Sequence, residues 1–170
     1  MELDRVFIDC STRRLEQLHS RICDCLGKLA PDEIWARGHE NENAIGNLVL
    51  HLNGNVRQWI LSGIGGAADT RVRDTEFSAR GGMETEELLG RLNKTVVEAV
   101  AVLARVTAAR LAERVTIQKY HVTVLEAIFH VVEHFSHHTG QILFATKMLT
   151  GEDLGYYKHL HAAAHGEKTP

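Results

Sequence analysis

Five of the eleven histidines fall in one stretch, His121 to Thr150, and their spacing is the part of this sequence that could do chemistry. His130 and His134 are four residues apart, and so are His134 and His138. On a helix, side chains four apart lie one turn above each other on the same side, so either pair could hold one metal ion through its imidazoles. At about 100° per residue, His130, His134, His137, His138 and Gln141 all project within one sector. A solvated helix face is ordinarily built from Lys and Glu and a buried one from Leu and Ala; this stripe is neither. Two ligands from one helix do not make a strong site, so a third has to come from elsewhere in the fold.

Several competing chemistries are excluded by pattern. A di-iron carboxylate centre needs Glu-x-x-His on two helices, and here that pattern occurs once, at Glu16 and His19. The zinc-protease signature H-E-x-x-H and the G-x-S-x-G elbow are absent. What remains is a mononuclear, all-histidine site.

The elements that must position such a site can be read from hydrophobic periodicity. The stretch after Thr123 opens with Thr123-Val-Leu-Glu126, a capping-box pattern, and Ile128, Val131, Val132, Phe135, Ile142 and Leu143 then recur at helical spacing, with Gly151 as a C-cap. This is one long helix, the last of four. The first runs from about Leu3 to Leu29 (Leu15, Leu18, Ile22, Leu26) and ends at Pro31. After a short polar connection, Asp32 to Glu42, Asn43 is placed as N-cap of a second helix whose apolar face includes Ile45, Leu48, Leu52, Val56 and Trp59 or Ile60. His51 sits beside that face, with Asn55 one turn later. A lone histidine there is ordinarily a hydrogen-bonded core residue; the unfilled pair on the last helix makes ligation the competing reading.

From Ser62 to Met83 the helical pattern breaks around glycines and a charged centre, Arg71-Val-Arg-Asp-Thr-Glu-Phe77. Connections of that length inside a compact domain are usually functional or disordered. The charges either pin the segment by ion pairs or are simply solvated. Thr85 to Ala109 reads as a third, structural helix (Leu88, Leu92, Val96, Leu103), and Val115 to Ile117 as a short extended piece before the last helix. Leu154 to Tyr157 should pack back on the domain, while His159, His161 and His165 are read as surface residues. The fold class expected is all-α: a four-helix bundle with a long connection between helices two and three, one domain over residues 1–165, and a frayed tail over 166–170.

Composition bounds the partners. A formal net charge of −3, with no basic run beyond two residues, leaves no electrostatic footprint for nucleic acid or an acidic membrane surface. No apolar run approaches the roughly 20 residues of a membrane span, and the beginning, MELDRVFID, is acidic where a signal peptide is basic. The expected location is the cytoplasm. Cys10, Cys23 and Cys25 are odd in number and are read as unpaired thiols; residues two apart, like Cys23 and Cys25, point away from each other on a helix.

His51-Leu-Asn-Gly-Asn55 on the second helix, His134-x-x-x-His138-Thr-Gly-Gln141 on the fourth, and the RVRDTEF connection between helices two and three together resemble the DinB-like superfamily of bacterial metal-binding four-helix bundles. The resemblance covers most of the chain. It implies that His51, His134 and His138 hold one divalent ion, with His130 and His137 beside the ligands or lining the pocket; it names no catalytic residue. Asn55 and Gln141, each about one turn from one of these histidines, are polar amides of the kind that orient ligands or line a pocket, the alternative being hydrogen bonds between helices. Zinc, nickel, iron, manganese and copper all accept imidazole. The resemblance further implies a homodimer and, as activity, a thiol transferase using a low-molecular-weight thiol or a hydrolase; a metal-binding stress-response protein without turnover is the alternative.

Overall fold

The computed structural model describes residues 2–161, with the side chains of His159 and His161 excepted. The surface positions expected for His159, His161 and His165, and the tail 166–170, lie outside that description. The class is all-α, with a two-stranded hairpin added to it.

Helix α1 spans Leu3–Leu26 and buries Ile8, Leu15, Leu18, Ile22 and Leu26, the positions that its periodicity selects. It stops short of Leu29 because the i→i−4 ladder gives way to a tighter turn, in which the Lys28 and Leu29 N–H groups donate to the Cys25 and Leu26 carbonyls at 3.0 and 3.3 Å. Pro31, expected to end that helix, lies beyond its end at Leu26. It opens α2, Pro31–Trp35, where its missing N–H costs nothing and Glu33 accepts from the Ala30 N–H at 2.8 Å.

Helix α3, Ile45–Val56, corrects the expected cap. Ala44, not Asn43, holds the N-cap position, and its N–H donates to Asn47 Oδ1 at 3.1 Å. The helix continues as a wider π-helical turn, Arg57–Ser62, of the kind often found beside functional sites.

The segment expected to be irregular from Ser62 to Met83 contains a helix, α4, Arg73–Ser78. Six residues are too few to leave a periodic signal. Asn47 ties this segment down: its buried amide donates to the carbonyls of Glu76 (2.8 Å) and Ala79 (3.0 Å).

Helix α5 is Thr85–Leu103, shorter than the expected Thr85 to Ala109. The remainder forms a turn and then α6, Ala108–Ala112, where the Thr107 hydroxyl caps the Arg110 N–H. Strands β1, Arg114–Ile117, and β2, Tyr120–Thr123, pair antiparallel with Arg114 opposite Thr123 and Ile117 opposite Tyr120. Only the first was expected as extended chain. The two-residue turn between them puts Gln118 and Lys119 at φ 51° and 70°, a backbone usually signalled by Asn-Gly, and Gln-Lys carries no such signal.

Helix α7, Val124–Thr150, forms as its capping box predicts: the Thr123 hydroxyl accepts from the Glu126 N–H at 3.2 Å, and the Glu126 carboxylate accepts from the Thr123 N–H at 2.7 Å. Helix α1 packs against α5 and α7, and α3 packs against the same two. The four long helices therefore share one core, in which Leu15, Leu52, Leu92, Ile128 and Phe135 are fully buried. Each such side chain contributes about 1.5–3 kcal/mol by leaving water. That rigid contact between α3 and α7 is what sets His51 against the histidines of the last helix. Beyond α7, Tyr156 packs on α1, its hydroxyl donating to the Arg21 carbonyl at 3.3 Å under the Arg21 guanidinium.

Candidate metal centre

His51, His134 and His138 converge. One ring nitrogen from each lies within 4.8 Å of the others, and the Nε2 atoms of His51 and His134 are 2.9 Å apart. Two nitrogens each about 2.0–2.1 Å from one tetrahedral zinc ion would be separated by roughly 3.3 Å, so the cluster has the size of a metal's inner ligand set. His51 is buried and the other two are half-buried.

The hydrogen bonds on the far side of each ring decide which nitrogen is free. His51 Nδ1 lies 2.9 Å from Glu76 Oε2. A carboxylate only accepts, so Nδ1 carries the proton and Nε2 presents a lone pair to the cluster. Arg71 Nη2, 3.1 Å from the same Nδ1, is a second donor on the shared carboxylate oxygen rather than a partner of the ring. His138 Nδ1 is 2.6 Å from Gln141 Oε1, which again leaves Nε2 unprotonated. A metal-ligating histidine almost always donates its other N–H in this way. Between His51 and His134, the two Nε2 atoms must share either one proton or one cation.

Electrostatics favour the neutral, ligating form. Burial, reinforced by the neighbouring His138, His51 and His130, pushes His134 down to about 3. Burial lowers His138 as well, against the opposing pull of Gln141. Neutral imidazole is the form that binds a metal, and a donor set of three such rings fits a divalent ion of borderline softness.

Glu76 was not singled out from the sequence, yet it anchors the site. Burial alone would raise its carboxyl, but the hydrogen bonds and charge of Arg71 and His51 outweigh that and hold it below the usual range. Arg71 grips both oxygens, Nε to Oε1 at 2.7 Å and Nη2 to Oε2 at 2.8 Å, and reaches Gln58 Oε1 at 2.9 Å through Nη1. The charges of the RVRDTEF segment therefore pin it. Phe77, beside Glu76 on α4, lays its ring 4.7 Å from that of His51. The one available signal was a glutamate close behind an arginine in a glycine-bounded segment, which many solvated loops share.

The other expected residues divide. His130 stacks on His134 at 5.5 Å and lies 4.2 Å from the Trp59 ring, outside the cluster. His137 is exposed, its ring 5.1 Å from His138. Gln141 touches His138 as described. Asn55 is buried one turn from His51, and among the described residues no group pairs with its Oδ1.

Fold and cluster together define a class: an all-α protein in which one histidine from an early helix and two from the last one meet at a single point. The chain belongs to the family described as "Protein of unknown function (DUF1572)", whose model matches residues 2–162, and that family is DinB-like. Among solved structures, a conserved protein from Enterococcus faecalis is similar with a TM-score of 0.70 and 14% identity, covering 89% of this chain and 99% of its own. A DinB-like protein, YjoA, from Bacillus subtilis is similar with a TM-score of 0.66 and 16% identity, covering 86% and 96%. At such identities the likeness is one of fold alone. No curated protein matches the chain significantly. No helix among the described residues is long and apolar enough to cross a membrane.

Proposed function

We propose that the protein is a divalent-metal-dependent enzyme, in which His51, His134 and His138 hold one zinc, nickel, iron or manganese ion inside a four-helix bundle made by α1, α3 with its π-turn, α5 and α7. The observation that carries this reading is the convergence of three imidazoles, two of which have Nδ1 committed to Glu76 and Gln141 so that Nε2 is left to ligate. Three neutral histidines leave part of a divalent ion's coordination to an outside ligand, and an ion so held lowers the pKa of a water or binds a thiol as thiolate.

The chain's own residues supply the rest. Glu76 and Arg71 fix the His51 ring, Gln141 fixes that of His138, and Trp59 with His130 closes one flank. No cysteine belongs to the cluster: all three are on α1, Cys23 near His19 and Cys25 buried in the core. Sulfur for a transfer reaction therefore comes from a low-molecular-weight thiol, which we take as the first substrate; water, giving hydrolysis, is the second. Three unpaired thiols suit a reducing compartment, and on that ground we place the protein in the cytoplasm.

The test is metal content of protein purified without a histidine tag, followed by assay with bacterial thiols plus electrophiles and, in parallel, with amides and esters. His51→Ala, His134→Ala and His138→Ala should each remove most of the bound metal. Metal-dependent conjugation selects the transferase and metal-dependent cleavage the hydrolase. Tight metal with neither activity identifies a binding protein without turnover, and full occupancy in His51→Ala overturns the ligand set.

A further inference from the structure

A cavity of about 490 Å³ has Arg71 and Glu76 in its wall but none of the three clustered histidines. Its volume falls within the range of small-ligand sites, about 300–1,000 Å³. Helix α3 lines it through Asn53, Gly54 and Arg57 and α5 through Arg91, and the segment 68–83 closes it from the other side. The buried ion pair that orients His51 is thus shared between two places: the histidine cluster and this cavity.

The polar groups left to a ligand there are donors. Arg57 reaches Glu98 at 3.5 Å and Arg91 reaches Glu87 at 2.6 Å, and both pairs are partly exposed. Exposed pairs of this kind hold weakly, so either guanidinium can turn to a ligand at little cost. Asn53 has its Oδ1 taken by the Thr95 hydroxyl at 2.7 Å, which leaves its amide N–H groups to donate. Two acids also line the space, and both are engaged already. Glu76 accepts from Arg71 and His51, while Asp69 accepts from Gln58 Nε2 at 2.7 Å and from the Arg71 backbone N–H at 3.0 Å. Leu50, Val72 and Met83 add apolar surface, and Val72 is 61% exposed, so covering it is favourable.

We infer that this cavity is a second binding site, for a small organic acid whose carboxylate is held by Arg57, Arg91 and the Asn53 amide and whose apolar body lies against Leu50, Val72 and Met83. A guanidinium pairs with a carboxylate through two parallel N–H···O bonds, stronger than any it makes to a neutral oxygen. A cation is opposed by the guanidiniums of Arg57, Arg71 and Arg91, and an uncharged ligand gains nothing from them. The site needs no metal ion and stands apart from the reading of the histidines. Its occupant does bridge α3 and α5 to the segment that carries Glu76, and a ligand that binds only the folded arrangement stabilises it.

The test uses the full chain stripped of metal and dialysed free of chelator, so that no carboxylate can bind at an ion. Titration calorimetry with hexanoate and with benzoate should show saturable binding of at least one of them, with a Kd near or below about 1 mM, as ligands of this size allow. Hexanol, which keeps the chain without the charge, and inorganic phosphate, which keeps charge without the chain, should each bind at least about tenfold more weakly than that acid. Arg57→Gln with Arg91→Gln, both on the surface, should leave the circular dichroism spectrum unchanged and weaken the acid about tenfold or more. In nitrogen–proton spectra the acid should move the amides of Asn53, Gly54 and Thr70 to Thr75, and not those of His130 to His138. Saturable binding of neither acid overturns the inference. So does equal binding of hexanol or phosphate, an affinity untouched in the double variant, or a set of shifts centred on α7.

Discussion

His51 and His138 stand on two sides of one cluster, and the means that hold them differ. His51 is oriented by Glu76, twenty-five residues along the chain, and Glu76 is gripped by Arg71; the three side chains are only 6, 9 and 4% exposed. His138 is oriented by Gln141, an exposed amide on its own helix. The first device exists only once the segment 62–83 has folded against α3. The second comes with the helix itself. Half of the cluster is therefore local geometry, and the other half depends on a buried ion pair that tertiary structure must assemble.

Removing Glu76 is the strongest way to break that contrast. Glu76→Ala leaves Arg71 buried without its partner, and losing one member of a buried pair costs about 3–5 kcal/mol. It also frees the His51 ring, so metal affinity should fall by about 10–100-fold. Denaturant unfolding and competition with a chelating dye measure the two effects separately. A stability loss under about 1 kcal/mol would show that the ion pair does not hold the segment.

Gly54 tests the same contact through shape. A Cβ there would lie 1.9 Å from Glu76 Oε1 and 2.9 Å from Arg71 Nε, and neither atom is free to swing away. Gly54→Ala should destabilise by about 1–3 kcal/mol through overpacking. In the Glu76→Ala background the same change should cost less, because the obstructing carboxylate is gone; residues in contact show such coupling. Equal costs in both backgrounds would place the clash elsewhere.

Acid attacks the side of the cluster built on α7. His134 is held at about 3 by burial and by its neighbouring histidines, below the ordinary value near 6.5. The unfolded chain therefore takes up its proton first as pH falls. The stabilising contribution is complete above about pH 6.5 and is lost progressively towards pH 3. Metal-free protein should show a falling Tm between pH 7 and pH 5, and His134→Leu should flatten that slope. A Tm constant over this window in the unsubstituted protein would contradict the shift.

What could be read from the sequence follows the same division. The capping box at Thr123, the i, i+4 histidines and the core stripe of α7 are local patterns, and each appears where periodicity puts it. His51 was legible as a polar residue beside an apolar face, but its tie to Glu76 was not, since a six-residue helix inside a glycine-bounded segment carries too little periodicity to place its side chains. The hairpin was half legible: β1 has β-branched residues, whereas its Gln118-Lys119 turn adopts left-handed backbone that neither residue advertises. Pro31 misled because one residue type both ends helices and opens them.

Gln141 gives the smallest expected effect and the sharpest comparison. It is exposed, so Gln141→Ala should change stability by no more than about 0.5 kcal/mol. Water can replace its oxygen at His138 Nδ1, because that edge of the ring faces solvent, whereas Glu76 is sealed from it. Metal affinity should consequently fall only to about the lower end of the 10–100-fold range for such partners, or less. Gln141→Glu should act in the opposite direction, since a carboxylate makes the imidazole a stronger base and a better ligand. Isothermal titration of one divalent ion into the two variants and into Glu76→Ala decides the matter. If Gln141→Ala loses as much affinity as Glu76→Ala, burial is not what separates the two halves, and His51 and His138 depend equally on their outer partners.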